Sequence, residues 1–259
     1  METTEKSSPQ QYPSKEVLDE VIIIEHLSKS FGEQQVLTDF SLRVKRGDNV
    51  VVLGKSGSGK SVLIKCIIGL LTPDSGRINV LGNSMIELGE EELNLARAKI
   101  GFLFQSNALY DSMTVRENLE FPLRRHRPDI SEQELKEMVY ESLENVGLEH
   151  TSEMMPSALS GGMLKRIALA RTMILRPEVI LYDEPTTGLD PITSREIEKL
   201  ILSLQKKYKT SSIIISHDMS CVKFTADRVV LLLDGRCYIE DSFEHLEQSQ
   251  DEHIKQFFI

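Results

Sequence analysis

The sequence has no tryptophan and only three cysteines among its 259 residues. Cys66, Cys221 and Cys237 lie far apart and match no metal-ligand spacing, which argues against a disulfide framework or a zinc site and favours a reducing compartment. No stretch approaches the roughly 18 apolar residues that a membrane-spanning helix needs. Residues 1–14 are polar and lack the basic-then-apolar order of a signal peptide, so we expect a disordered lead-in and a cytoplasmic protein.

Basic residues are outnumbered by acidic ones, and the formal net charge is −10. A nucleic-acid partner usually requires a basic face, so this balance argues against nucleic-acid binding. Apolar residues make up 40% of the chain, which suffices for a substantial core. The length allows one large α/β domain or two small ones.

One glycine-rich stretch fits the pattern G-x-x-x-x-G-K-[ST]. It follows the apolar run Asn49–Leu53, which predicts a buried strand, and precedes the apolar run Val62–Leu71, which predicts a helix. This context is that of a phosphate-binding loop, in which Lys60 supplies charge to the β- and γ-phosphates and the Ser61 hydroxyl can bind Mg²⁺. The alternative is a glycine-rich turn with a chance lysine. The residues predicted to hold a nucleoside triphosphate are Gly54, Lys55, Ser56, Gly57, Ser58, Gly59, Lys60 and Ser61.

Strand and helix patterns predict a parallel core with a small antiparallel region attached to it. From Gln105 to about Pro156 the strand signals stop. There Ser131 precedes a helical pattern, and Glu134 three residues later predicts a capping box. We therefore expect a helical subdomain joined to the core at both ends. Strands are predicted at residues 21–27, 41–45, 49–53, 77–81, 99–104, 179–182, 212–215, 228–233 and 236–240.

Two adjacent carboxylates end the apolar strand Val179–Tyr182. A strand tip beside a phosphate loop is where a triphosphate site needs a metal-binding acid, and Asp183 fits that role directly or through water. Glu184 can face the γ-phosphate and polarise an attacking water. The alternative is a solvated acidic turn before Pro185.

A second anion-binding pattern lies at Leu159–Met163. Ser160 is a good N-cap, and Gly161 and Gly162 leave the first-turn amides of the following helix accessible. One triphosphate needs only one such cradle, so the second can serve a triphosphate held by another subunit. The alternative is an ordinary capped helix with a glycine hinge.

Three further residues follow or flank predicted strands. The Gln105 amide can reach the metal or the water, and His217 can contact a γ-phosphate through its ring N–H. Phe31 can stack on an adenine ring.

Together, and in this order, these elements resemble the ATP-binding-cassette (ABC) family over roughly Val21–Glu240. Met163 departs from the family pattern, where Gln is usual, and we expect it to alter packing rather than abolish activity. Phe31 resembles the adenine-stacking aromatic, 54–61 the Walker A loop, Gln105 the Q-loop, 159–163 the signature, 179–184 the Walker B strand, 188–190 the D-loop and His217 the switch histidine.

The resemblance implies an α/β P-loop NTPase with a RecA-like parallel core, an antiparallel β subdomain and an α-helical subdomain at about 105–165. The cassette would span residues 20–242, between a lead-in at 1–19 and an extension at 243–259. The resemblance also implies an ATPase that uses ATP and Mg²⁺. In this sequence the catalytic residues would be Glu184, His217, Gln105 and Lys60, and the residues holding the metal would be Ser61, Gln105 and Asp183.

The family also implies a head-to-tail homodimer that sandwiches two ATPs between the Walker A loop of one subunit and the signature of the other. The helical subdomain then passes the motion to an integral membrane permease dimer. This places the protein at the cytoplasmic face of the inner membrane.

Within the family, the sequence is most similar to the ATPase of Mla-type phospholipid transport systems. That resemblance implies lipid movement between bacterial inner and outer membranes, with a periplasmic MCE lipid-binding protein and a small STAS-domain partner. The alternatives are a non-transport ATPase of the FtsE type and an importer ATPase for another substrate. The resemblance is carried by 159–163 with 165–166, 104–110, 117–118, 121–124 and 254–258.

Two apolar features fall outside these motifs. The first is a cluster just beyond Gln105, which we expect to form the groove that receives a permease coupling helix; ordinary subdomain core is the alternative for Phe121 and Leu109. The second is the tail, residues 243–259, which we expect to dock on a subunit surface, its own or its neighbour's. The cluster consists of Leu109, Tyr110, Met113, Phe121 and Pro122.

Overall fold

The computed structural model describes residues 19–258. The lead-in predicted for residues 1–19 lies outside that part except for Asp19, and so does Ile259. The strands are β1 (Glu20–Phe31), β2 (Gln34–Lys45), β3 (Asn49–Leu53), β4 (Ser75–Val80), β5 (Asn83–Ser84), β6 (Ile100–Leu103), β7 (Val179–Asp183), β8 (Ser211–Ser216), β9 (Arg228–Leu233) and β10 (Arg236–Asp241). The helices are α1 (Lys60–Ile67), α2 (Glu90–Ala98), α3 (Val115–His126), α4 (Glu132–Val146), α5 (Gly161–Met173), α6 (Pro191–Tyr208), α7 (Met219–Thr225), α8 (Phe243–Glu247) and α9 (Glu252–Lys255).

The larger sheet has the strand order β10-β9-β3-β8-β7-β6, and only β10 runs antiparallel to its neighbour. Every residue of β3, β7 and β8 is buried. Strands covered on both faces are typical of parallel sheets, and this is why their sequences are continuous apolar runs. Along β3, Val50 and Val52 pack into one core and Val51 and Leu53 into the core on the opposite face.

The smaller sheet has the order β2-β1-β4-β5 and is antiparallel throughout. It shares one apolar core with α1 and one face of the parallel sheet. The predicted antiparallel region attached to a parallel core is thereby confirmed. The closing hairpin β9–β10 is present too, and its turn residues Asp234 and Gly235 have φ of 48° and 74°, the left-handed values that a tight hairpin turn needs.

The helices α3, α4 and α5 form a separate core on the far side of β6. The predicted capping box at Ser131 is half right: Ser131 Oγ accepts the Glu134 amide at 3.2 Å, but the Glu134 carboxylate pairs with Arg127 instead. The reciprocal box lies at the start of α3, where Glu117 accepts the Thr114 amide and Thr114 Oγ1 accepts the Glu117 amide. Because the Glu134 carboxylate is bound by Arg127, it does not accept the Ser131 amide.

The tail packs against its own subunit. Phe243 and Ile254 are buried in the core that also contains Val51 and Leu53 of β3. Phe258 lies against Phe243, with the ring centroids 5.4 Å apart. Between residues 19 and 258, no helix is long and apolar enough to cross a membrane. The carboxyl ends of the parallel strands β3, β7 and β8 lie on the same side of the sheet, and the chain segments that follow these strands meet there. Ligands of open α/β sheets bind at this position.

Candidate active site

The loop between β3 and α1 depends on glycine at two positions. Gly57 has φ of 79° and Gly59, the residue before α1, has φ of 103°. A Cβ on Gly59 would lie 2.8 Å from the Val36 carbonyl oxygen, whereas a Cβ on Gly57 would meet nothing within 4 Å. Gly59 is thus required for close packing on β2. At Gly57 the positive φ, rather than a lack of space, favours glycine, and its backbone stays accessible to a ligand.

A cavity of about 450 Å³ opens beside this loop, within the size range of small-molecule sites. Its lining comes from segments that are distant in the sequence. Phe31, at the rim, is 48% exposed, which leaves its ring free to stack on a flat ligand. The residues that line the cavity are Phe31, Val36, Ser56, Gly57, Gly59, Lys60, Ser61, Val62, Gln105, Glu184 and His217.

Lys60 is buried at the base of this cavity. Its Nζ donates to the carbonyl oxygens of Gly54 at 2.7 Å and Lys55 at 3.0 Å, and it lies 3.8 Å from Glu184 Oε1. Burial lowers the pKa of this ammonium, while the charges of Glu184 and Asp183 oppose that shift. Two neutral carbonyls therefore make the close contacts with the ammonium, and the Glu184 carboxylate lies at a longer distance, so the cavity presents a positive charge to an anion such as a phosphate.

Glu184 is the centre of the polar contacts. Its side chain is only 12% exposed, and its backbone has φ of 52°, a left-handed value that is unusual for glutamate. Oε2 accepts from Thr187 Oγ1 at 3.1 Å and lies 2.8 Å from Nδ1 of His217. The sequence pointed to Glu184 and His217 but not to Thr187, whose only sequence signal is its place three residues later in the same turn.

Ser61 and Asp183 form an oxygen pair beside Lys60. Ser61 Oγ donates to Asp183 Oδ1 at 3.2 Å, and burial raises the pKa of the Asp183 carboxyl, with the Ser61 bond opposing the rise. Hydroxyl and carboxylate oxygens are the donors that a hard divalent cation prefers. Among the described residues no group of three or more His, Cys, Asp and Glu side chains forms a ready-made metal site. A cation held by Ser61 and Asp183 would therefore complete its ligands with phosphate or water oxygens.

The remaining predicted residues lie around this centre. Gly54 is buried, and Ser58 Oγ is buried without a hydrogen-bond partner in the part of the chain that the structure describes. Lys55 is exposed, and its Nζ donates to Gln256 Oε1 at 2.6 Å. Gln105 borders the cavity on the side of β6. Val36 and Val62 line it as well and were not predicted, because single apolar residues carry no distinctive signal.

The second predicted anion-binding segment, Leu159–Met163, does not line this cavity. Ser160 caps α5 as predicted, with Oγ accepting the Met163 amide at 3.3 Å. A Cβ on Gly162 would lie 2.8 Å from Thr193 Cγ2, so this glycine permits α5 to pack closely on α6. Ser160, Gly161 and Gly162 do not line the Lys60 cavity of the same chain.

The glycine-rich loop places the buried Lys60 beside the Ser61–Asp183 pair, and Glu184, in contact with His217, lies at the same site. These features define a P-loop nucleoside triphosphatase. A family profile described as ABC transporter matches residues 37–187, more than half of the chain. The chain therefore belongs to the ABC transporter family, as an ATPase that hydrolyses ATP for transport.

Relatives and a solved structure agree with this assignment. The chain is 38% identical to the intermembrane phospholipid transport system ATP-binding protein MlaF of Haemophilus influenzae, across 92% of this chain and 89% of the relative. It is 38% identical to protein TRIGALACTOSYLDIACYLGLYCEROL 3 of Arabidopsis thaliana, across 92% and 73%. It is 33% identical to the methionine import ATP-binding protein MetN of Campylobacter jejuni, across 92% and 75%.

The solved structure is the ATP-binding cassette MJ0796, described as a dimer in a post-hydrolysis state bound to ADP and Pi. It superposes with a TM-score of 0.78 at 31% identity, covering 86% of this chain and 98% of that one. ABC cassettes thus dimerise and bind ATP or ADP, and the family associates with transporter permease components.

Proposed function

We propose that this chain is the ATPase subunit of an Mla-type system that moves phospholipid between bacterial inner and outer membranes. It would act at the cytoplasmic face of the inner membrane, bound to a permease dimer, with an MCE lipid-binding protein and a STAS-domain protein in the complex. Identity of 38% to MlaF over nearly the whole of both chains supports this choice. Methionine import, by similarity to MetN at 33%, and a non-transport role of the FtsE type are the alternatives.

The chemistry rests on one observation, the Glu184 carboxylate held between Lys60, Thr187 and His217 at the cavity wall. We propose that Glu184 accepts the proton of the attacking water and that His217 orients Glu184 and contacts the γ-phosphate. Lys60 and the loop amides neutralise the phosphate oxygens, and Phe31 stacks on the adenine.

Mg²⁺ would be held by Ser61 and Asp183, with Gln105, which also lines the cavity, contacting the ion or the water. When bound, the ion neutralises charge on the phosphates and aligns them for in-line attack. The Ser61–Asp183 pair, already within hydrogen-bond distance, supports this assignment.

We propose that a second copy completes each site with Ser160, Gly161 and Gly162, which lie outside the cavity of their own chain. We propose separately, from the resemblance to ABC cassettes, a lead-in at 1–19, the cassette at 20–242 with its helical subdomain at about 105–165, and an extension at 243–259.

Hydrolysis is tested by Glu184→Gln. The amide keeps the shape of the carboxylate but accepts a proton poorly, so we expect kcat to fall about 10²–10⁴-fold while ATP affinity is retained. Steady-state phosphate release and binding of a fluorescent ATP analogue measure the two effects. Glu137→Gln, an exposed change on α4, is the matched control. Brisk turnover by Glu184→Gln would remove Glu184 from the role.

A surface near Gln105 supports contact with the permease. Tyr110 is 40% exposed and Phe121 38%, their ring centroids are 5.1 Å apart, and the Arg171 guanidinium lies 4.8 Å from the Tyr110 centroid. Leu109 instead packs against two of the cores, which supports the alternative of ordinary subdomain core for Leu109, whereas the exposure of Phe121 supports a place on the proposed surface.

The surface is tested by the pair Tyr110→Glu and Met113→Glu. Introduced charge on an apolar contact should release the ATPase from its permease in detergent extracts. The unfolding temperature of the isolated chain should fall by only a few degrees, because Tyr110 loses its contacts with Phe121 and Arg171 while the fold is kept. Tyr140→Glu, at an aromatic that is 59% exposed on α4, is the control. Undiminished co-purification of the permease would contradict the assignment.

In the reconstituted complex, stimulation of ATPase activity by phospholipid rather than by methionine would separate the two substrate proposals.

A further inference from the structure

The segment after β6, which we call the post-β6 loop (Gln105–Tyr110), has strained backbone. Asn107 and Ala108, two consecutive residues that are not glycine, adopt left-handed φ of 65° and 54°. The left-handed conformation is unfavourable for residues with a Cβ, and it persists only where surrounding contacts enforce it. Gln105, at the start of the loop, borders the nucleotide cavity.

Two cations from one helix hold this loop by its backbone. Lys165 Nζ donates to the Gln105 carbonyl oxygen at 3.0 Å, and Arg171 Nη1 donates to the Ala108 carbonyl oxygen at 2.5 Å. Both belong to α5, the helix that begins at Gly161. The loop is thus fixed to the helix whose first turn carries Ser160, Gly161 and Gly162.

Lys165 is placed there at an energetic cost. It is 2% exposed and, among the described residues, its one hydrogen bond goes to the neutral carbonyl of Gln105. Burial lowers the pKa of its ammonium, with the charge of Asp183 opposing the shift. A buried ammonium held by a neutral carbonyl is costly to desolvate, and an apolar side chain would fill the same space without that cost. Stability alone therefore does not account for a lysine here.

We infer that Lys165 is a positioning residue for Gln105, and that Lys165 and Arg171 make the post-β6 loop and helix α5 move as one body. The inference rests on the proposed role of Gln105 in ATP hydrolysis and goes beyond it. A second copy that engages Ser160–Gly162 would then set the position of Gln105 in the first copy's own cavity, through α5.

The first test uses Lys165→Met, which keeps the length but removes the donor. In the nucleotide-free protein, hydrogen exchange at the Asn107 and Tyr110 amides, both hydrogen-bonded in the structure, should quicken about tenfold. The unfolding temperature should stay equal or rise, because a desolvated charge is removed. Lys165→Gln, which restores a donor without charge, should recover part of the protection, and Lys136→Met, an exposed change on α4, should have no effect. Unchanged exchange in Lys165→Met would overturn the inference.

The second test separates positioning from simple packing. Lys165→Met should lower kcat about tenfold with KM changed less than about twofold, because ground-state ATP contacts are untouched. In a Gln105→Ala background the same substitution should have no further effect on kcat, since residues acting through one another are not additive. Full additivity would overturn the inference. If hydrolysis survived Glu184→Gln, the proposed function would fail, while the exchange measurement would still decide the role of Lys165.

Discussion

Asp183 is a carboxylate that folding removes from water. Desolvation raises the pKa of this group in the folded chain, so its charged form is disfavoured there relative to the unfolded chain. The resulting stability is present at low pH, where the carboxyl is protonated in both states, and it is lost as the pH rises through the folded-state pKa. At neutral pH the folded chain therefore carries an electrostatic penalty at this residue.

Asp183→Asn removes that penalty, so we expect the nucleotide-free variant to unfold at a higher temperature than the wild type at pH 7. The difference should shrink toward zero as the pH falls below about 4, the ordinary pKa of an aspartate. Mg²⁺-dependent ATP hydrolysis should nevertheless be lost. Calorimetry across this pH range measures the first effect and phosphate release the second. A variant that is less stable than the wild type at pH 7 would contradict the account.

Single residues differed in how far the sequence could reveal them. Asp183 and Glu184 were predictable because a continuous apolar strand leads directly to them. Thr187 and Lys165 were not, because a threonine in a turn and a lysine in a helix are usually solvent-exposed. Their roles depend on what lies across from them in space.

At the scale of elements, Asn118 on α3 organises the chain that enters the helical region. It is fully buried; its Oδ1 accepts the Tyr110 amide at 2.8 Å, and its Nδ2 donates to the carbonyl oxygens of Tyr110, Met113 and Thr114. One side chain thus satisfies backbone groups at the end of the post-β6 loop and at the start of α3.

Asn118→Leu keeps the branched shape of the side chain but leaves the Tyr110 amide and the Met113 carbonyl unpaired. The carbonyls of Tyr110 and Thr114 still accept the backbone amides of Met113 and Asn118. We expect the free energy of unfolding to fall by about 2–3 kcal/mol, since each buried unsatisfied group costs roughly 1–3 kcal/mol. Urea titration measures the change, and Arg125→Leu, an exposed change on the same helix, is the control. Equal midpoints for Asn118→Leu and the wild type would show that the network contributes little.

The elements were largely predictable, and their ends were less so. The apolar run after the phosphate loop predicted a helix to Leu71, but α1 ends at Ile67 because Gly69 adopts a left-handed φ of 70°. The reciprocal capping box expected at Ser131 is absent because Arg127 binds the Glu134 carboxylate. A reciprocal box occurs instead at Thr114. Local patterns carry the periodicity of an element, whereas competition among neighbours sets its boundaries.

At the scale of the whole molecule, the tail joins the end of the described chain to the phosphate loop. Phe258 packs on Phe243, and Gln256 accepts from Lys55, so residues far apart in sequence restrain one another. No sequence pattern encodes such a pairing, and the tail was expected only to dock somewhere on a subunit.

Phe258→Ala should release the tail by removing its aromatic contact. We expect trypsin to cleave after Lys255 several-fold faster than in the wild type, and the free energy of unfolding to fall by about 1 kcal/mol. Mass spectrometry of timed digests locates the cut, and Tyr140→Ala, which removes an exposed aromatic from α4, is the control. Identical cleavage rates at Lys255 would show that the packing does not protect the tail.

The strand order has a consequence for synthesis on the ribosome. The partners of β3 on its two sides are β8 and β9, which leave the ribosome only after most of the chain has been translated. Strands β1, β2, β4 and β5 all lie within residues 20–84 and can pair early. The core that contains Val50 and Val52 is built largely from early segments, whereas the core that contains Val51 and Leu53 comes from residues translated later. The nascent chain therefore carries β3 with both edges and the Val51 face uncovered through most of translation, when it is open to aggregation and to chaperone capture. Strand β3 gains its second neighbour only once residue 233 has emerged.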